Sequence, residues 1–189
     1  MNHPLPRQAG MTLPELLTTM SIVAISLGMA ASSYNSVVSN NRRATSINEL
    51  VSTMHAARSE AITRNLQLTI CPSSDGAACS DGADWAVGWM YFTDVDQNRV
   101  LDGTDLLLGQ KPGTPRVSIA SVEFPDFLVY RPNGRVMADT PDENTGQFTI
   151  CDKRGPDDAR VVLINSSGEP ALSETQADGS APECPDGLT

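Results

Sequence analysis

Aromatic residues make up only 5% of this 189-residue chain, two Trp, three Tyr and four Phe, so any core must rest on Val, Ile, Leu, Ala and Met. Histidine is as scarce. His3 and His55 stand apart from each other and from the four cysteines, which argues against a Cys/His zinc site. Basic residues are outnumbered 13 to 23, for a formal charge of −10. That balance favours a self-repelling surface and disfavours nucleic acid, whose phosphates recruit Lys and Arg. No G-x-S-x-G, P-loop or H-E-x-x-H pattern occurs, and His55 has no Ser or Cys motif to serve as base. No catalytic residue is assigned, no enzyme is expected, and no internal repeat is present.

What the chain does contain starts at its N-terminus. Residues 1–10, MNHPLPRQAG, are polar, carry Arg7 and lack acidic side chains. Residues 11–31, MTLPELLTTMSIVAISLGMAA, are mostly apolar and match the roughly 20 residues of a transmembrane helix. In an ordinary secretory leader the small-residue cleavage site follows the apolar run, whereas here the small Gly10 precedes it. Cleavage there would leave the apolar segment on the mature chain as a single-pass anchor. Arg7 and the amino terminus bias the leader toward the cytoplasm, a weak bias because Arg42 and Arg43 follow on the other side. Glu15 is the one charge in the segment. An intramembrane carboxylate needs a partner or a place at the interface.

Beyond residue 31 the pattern becomes amphipathic. Val37, Ala44, Ile47, Leu50, Val51, Met54, Ala57, Ala61 and Ile62 recur at three- and four-residue steps, while most charged residues fall elsewhere. One helix from about Pro14 to Arg64 is expected, roughly 75 Å long at 1.5 Å per residue. Its amphipathic part covers residues 32–65. From 66 to 165 the sequence turns to β-branched and aromatic runs, at 66–71, 87–93, 117–124, 127–131, 147–151 and 160–165, separated by Gly, Pro, Asn and Asp clusters. The fold class is therefore α+β: a long N-terminal helix packed on an antiparallel β-rich head. Residues 166–189 form an acidic, Gly/Ser/Pro/Ala-rich tail whose order depends on Cys184.

In an exported chain the four cysteines read as two disulfides, with three possible connectivities. The turn-rich PSSDGAA between Cys71 and Cys79 favours a local bridge. Cys151 is then left for Cys184, a pairing that closes a 34-residue loop and pins the tail. One further stretch, DVDQNRVLDGTD, has ligand spacing. Asp94, Asp96, Asn98, Asp102 and Asp105 occupy the first, third, fifth, ninth and twelfth places of a calcium loop, with the Val100 carbonyl at the seventh. Arg99 stands where such a loop carries Gly, and a strand precedes it, so a plain polar turn is the expected reading and no cofactor is assigned.

Gly10-Met11-Thr12-Leu13-Pro14-Glu15 resembles the type IV prepilin signal, in which a Gly precedes a hydrophobic residue and a Glu stands fifth in the mature chain. The resemblance implies cleavage after Gly10 by a prepilin peptidase, N-methylation of Met11, and pairing of Glu15 with an N-terminal amine during assembly. Met11 and Pro14 replace commoner residues of that signal. Further on, HAARSEAITRN (55–65) resembles the ARSEAI-x-RN segment of the GspH/FimT family of minor pilins and pseudopilins. ICPS (70–73), Asp84-Trp85, GWMYF (88–92), RPNGR (131–135) and FTIC (148–151) continue the match in order. The family implies a structural, assembly-priming subunit in the inner membrane with its head in the periplasm. Its partners would be major and minor pilins or the pseudopilins of a type II secretion system. Some members capture DNA through basic residues after the last strand. Here that stretch is NSSGEP (165–170), Glu169 falls where those members are basic, and residues 165–189 hold five acidic residues and no Lys or Arg. Nucleic acid is therefore not an expected partner. Arg58 and Glu60 are expected to tie the helix to the sheet, and Trp85 and Trp89 to fill the core.

Overall fold

Thr12, Pro14 and Asn65 set the ends of the main helix. In the computed structural model, which describes residues 10–80, 82, 84–137 and 144–185, helix α1 runs Leu13–Arg64. The expected leader lies outside the described residues except for Gly10, as do the side chains of residues 29–33 and the last four residues. Pro14 sits in the first turn, where its missing N–H has no intrahelical role. The Glu15 and Leu16 amides reach the Thr12 carbonyl at 3.1 and 3.2 Å. At the other end Asn65 takes a left-handed φ of 54°, and the Leu66 amide returns to the Ala61 carbonyl at 3.3 Å, the long bond of a Schellman cap.

The chain forms two units, residues 1–40 and 41–189. Among the described residues of the second, nine strands make two antiparallel sheets. The first contains β1 (Gln67–Pro72), β2 (Gly88–Asp94), β3 (Leu107–Pro112), β5 (Leu128–Tyr130) and β6 (Val136–Met137), in the order β3-β2-β1-β5-β6. The second contains β4 (Val117–Ala120), β7 (Gly146–Asp152), β8 (Arg160–Ile164) and β9 (Pro170–Ser173), in the order β4-β7-β8-β9. β1 is buried along its whole length, as its QLTICP sequence and central position require.

One core joins the helix to both sheets. Ile47, Leu50, Met54, Ala57 and Ala61 recur at steps of three and four on α1 and meet Leu68, Ile70 and Tyr130 of the first sheet and Ile119, Phe148 and Val162 of the second. Each large apolar side chain buried there stabilises by about 1.5–3 kcal/mol. Both tryptophans are buried. The Trp85 indole N–H donates to the Phe124 carbonyl at 3.0 Å and that of Trp89 to Thr53 Oγ1 at 3.1 Å, so neither is left unsatisfied. The Trp85 ring meets Phe148 edge-on at 5.0 Å, and Phe124 stacks on Phe148 at 5.6 Å.

Three parts of the sequence reading change. Val37 and Ile62 are half-exposed and Ala44 is exposed, although their spacing assigned them to the apolar face, while Arg43 is buried. The run at 117–124 is a strand only to Ala120, because the Ser121 hydroxyl accepts the Phe124 amide at 3.1 Å and turns the chain. The tail is more ordered than its composition suggests. β9 pairs with β8, and the Gln147 amide group donates to Gln176 Oε1 at 2.8 Å while accepting the Ala177 amide at 2.9 Å.

Candidate functional site

Gly10 and Met11 are exposed immediately before α1, and Glu15 is exposed in its first turn. Among the described residues the Glu15 carboxylate has no partner. Around it, Met11, Leu13, Leu16, Leu17, Met20 and Ile22 are all exposed, so the apolar surface here is not confined to one face. The hydroxyls between them are satisfied inside the helix. Thr18 and Thr19 donate to the carbonyls of Glu15 and Leu16, and Ser21 and Ser26 to those of Leu17 and Ile22, at 2.8–3.0 Å. Such back-bonding hides polar groups from an apolar medium. Among the described residues no helix is long and apolar enough to cross a membrane, and the described side chains of this stretch end at Gly28.

In the head, Arg58 joins two turns. Its Nε donates to the Gly134 carbonyl and its Nη2 to the Ser167 carbonyl, both at 3.1 Å. The first turn, RPNGR, links β5 to β6 and closes through the Arg131 amide on the Arg135 carbonyl at 2.9 Å. The second links β8 to β9 and is organised by Asn165 Oδ1, which accepts the amides of Ser167 and Glu169. The Tyr130 hydroxyl, its pKa pushed upward by burial, donates to the Gly168 carbonyl at 3.0 Å. The helix is thus tied to both sheets by Arg58. Glu60 instead pairs with Arg64 along α1.

A second cluster lies at residues 43 and 152–158. Buried Arg43 is 3.7 Å from carboxylate oxygens of both Asp152 and Asp158, and it donates to the Asp158 carbonyl. Arg154 grips Asp152 with its Nε and Nη2 and reaches Asp158 at 3.2 Å. The Arg154 hydrogen bonds, helped by the charges of Arg154 and Arg43, hold the Asp152 carboxyl below the usual carboxylate range despite its burial. Burial, then repulsion by Arg154, draws the Arg43 pKa down. Arg43 stands outside the apolar repeat of α1. Nothing local signals its partners, which lie more than a hundred residues away.

Cys71 is bonded to Cys79 and Cys151 to Cys184, with no free cysteine among the described residues. The 95–106 loop between β2 and β3 brings part of the calcium-spaced set together. One carboxylate oxygen from each of Asp94, Asp96 and Asp105 lies within 4.8 Å of the other two. Asn98 sits beside them, its Nδ2 donating to Asp96 at 2.8 Å and to Asp102 at 3.2 Å. Asp102 is turned to Thr104, whose amide and hydroxyl both reach its Oδ1 at 2.8 Å. Those bonds hold its pKa down.

Known proteins place this architecture. The family described as Type II transport protein GspH matches residues 46–168, and the prokaryotic N-terminal methylation motif matches residues 5–31. A comparison with curated protein sequences found no match. Among solved structures, the type IV minor pilin FimU of Pseudomonas aeruginosa is similar in two crystal forms. The first has a TM-score of 0.56 at 21% identity and covers 76% of this chain and 94% of that one. The second has a TM-score of 0.52 at 21% identity, covering 71% and 93%. The shared fold is that of a pilin, a long N-terminal helix on an antiparallel β head, and these relatives are structural subunits rather than enzymes. Matched over most of its head and carrying the methylation motif ahead of it, this chain belongs to the GspH family of minor pilins and pseudopilins.

Proposed function

We propose that this protein is a minor subunit that primes assembly of a type IV pilus, held in the inner membrane by α1 with its head in the periplasm. The observation that carries the reading is the exposed Glu15, without a partner among the described residues, in the first turn of a helix whose neighbouring apolar side chains are exposed on more than one face. A carboxylate there is costly in lipid unless a cation meets it, and the methylated amine of a neighbouring subunit's first residue is such a cation. Cleavage after Gly10 by a prepilin peptidase creates the equivalent amine on Met11 of this chain. The described helix supports membrane residence through its satisfied hydroxyls as well as its apolar surface.

The test is direct. Intact-mass measurement of the protein from its own membrane is expected to show loss of residues 1–10 and a methylated Met11; an uncleaved chain in cells with an active peptidase would refute the reading. Glu15→Ala is expected to leave insertion intact and to reduce recovery of this subunit in sheared filaments by tenfold or more. The second reading, a pseudopilin of a type II secretion system, is favoured by the family description itself. Deletion separates the two: loss of surface filaments supports the pilus, and loss of secreted enzymes with normal filaments supports the secretion system. DNA capture has less support, because Glu169 is exposed at the turn after β8 and the following residues bring no Lys or Arg.

A further inference from the structure

Asp94 ends β2, paired with Gln67 of β1, and is only 1% exposed. A carboxylate taken so far from water needs its oxygens satisfied. Oδ2 is satisfied: the Thr69 hydroxyl donates to it at 2.7 Å and the Arg99 amide at 3.2 Å. Oδ1 is not; it is buried with no hydrogen-bond partner among the described residues. The unsatisfied group belongs to the residue that shares a cluster with Asp96 and Asp105, their nearest carboxylate oxygens all within 4.8 Å. Three like charges in that space repel unless something positive lies among them. A calcium ion bonded at 2.3–2.6 Å to each of three oxygens keeps them within about 5 Å of one another.

We propose that the loop between β2 and β3 is a calcium site whose core ligands are Asp94, Asp96 and Asp105. This goes beyond the assembly role and does not depend on which filament the subunit joins. The loop is already closed at its base. The Leu106 amide donates to Thr93 Oγ1 at 2.8 Å, and the Thr93 amide donates to the Leu106 carbonyl at 3.0 Å. Asp105 accepts the Val95 amide at 2.9 Å and the Asp102 amide at 3.2 Å, which fixes its carboxylate across the loop from Asp94. Arg99, at the sixth place where calcium loops carry Gly, adopts the left-handed φ of 63° that the turn requires. Its guanidinium lies over the Phe127 ring at 4.0 Å. Oxygen-only ligands exclude a soft transition metal, and an exposed, twelve-residue loop suits the loose coordination of calcium better than the strict octahedron of magnesium. Extracellular modules of this kind bind calcium at about 0.1–1 mM.

The test uses the full mature chain in detergent, stripped with chelator and titrated with calcium chloride by calorimetry and by thermal unfolding. One calcium per chain is expected, together with a melting temperature that rises with calcium, because a ligand bound only by the folded state stabilises it. Magnesium at the same concentration is expected to raise it less. Asp96→Asn and Asp105→Asn are expected to weaken calcium binding tenfold or more, while Asp178→Asn in the tail leaves it unchanged. Circular dichroism of each calcium-free variant checks that it folds. No heat and no thermal shift with the wild-type chain at millimolar calcium would overturn the proposal. So would an undiminished response in both loop variants, or equal stabilisation by magnesium.

Discussion

A Cβ added to Gly168 would lie 2.2 Å from the Gly134 carbonyl oxygen, so the turn that joins β8 to β9 is pressed against the turn that joins β5 to β6. Gly168 has a φ of 79° and Gly134 one of 76°, so both are also conformations that side chains rarely adopt. The contact is between backbones, and neither side can yield by rotating a side chain.

Gly168→Ala is therefore expected to destabilise the head by more than the left-handed backbone alone requires, about 3 kcal/mol or above against roughly 1–2 kcal/mol. Gly179→Ala supplies the comparison, since it has a φ of 85° but open space around its Cβ. Urea unfolding of the two variants side by side measures the difference. Equal losses would mean that the two turns separate at little cost.

Arg58 makes hydrogen bonds to both turns, and its replacement should loosen both at once. Arg58→Met keeps much of the aliphatic stem and removes the donors to Gly134 and Ser167. A loss of about 1.5–3 kcal/mol is expected, the range for a hydrogen bond involving a charged group. Hydrogen exchange should speed up at the amides of Arg131 and Gly168 together, both bonded within these turns. Arg58→Lys should recover only part of the loss, because a single ammonium does not span two carbonyls as a planar guanidinium does.

These ties explain which features were legible in the sequence. The helix and the central strands announce themselves because burial imposes period: Ile47 to Ala61 repeats every three or four residues, and QLTICP is apolar enough for a strand covered on both faces. The edges do not. β3, LLGQKP, is largely exposed and held by its partner β2, β6 is two residues long, and β9 contains Pro and Ala and depends on the Asn165 turn. The site divides in the same way. The spacing of Asp94, Asp96 and Asp105 could be read from one loop, whereas the burial of Asp94 comes from Thr69 and the strands beside it. Arg43 was unreadable for the same reason, since its partners arrive only when β7 folds against α1.

Acid should weaken the head through Asp152. Hydrogen bonds from Arg154 hold the folded-state pKa of this carboxyl below its ordinary value. A group with a depressed folded pKa contributes stability that is fully present above its unfolded value, about 3.9, and is lost as pH falls through the folded value. The urea midpoint is thus expected to be flat above about pH 5 and to drop below it. Asp152→Asn should lower stability at pH 7, where Arg43 loses a charged neighbour, and make the acid-side slope shallower. An unchanged slope in the variant would show that other carboxyls govern acid unfolding.

The bond between Cys151 and Cys184 should matter more to stability than that between Cys71 and Cys79. The sequence separations are 33 and 8 residues, and in the chain-entropy model the longer loop restricts the unfolded chain by about 3.5–4 kcal/mol against about 2.5 kcal/mol for the shorter. The tail it holds also has contacts of its own. Gln147 bonds to Gln176 and Ala177, and the Gln176 side chain donates to the Ala181 carbonyl at 2.8 Å. Cys184→Ser, made together with Cys151→Ser to avoid a stray thiol, is expected to lower stability by several kcal/mol and leave β9 in place. Limited proteolysis should then cut after residue 181 before it cuts near Gln176, because the Gln147 contacts survive without the disulfide. Adding Gln147→Ala should move the first cut inward, toward Ser173. Early cleavage near Ser173 in the double serine variant alone would show that the disulfide, and not Gln147, orders the tail.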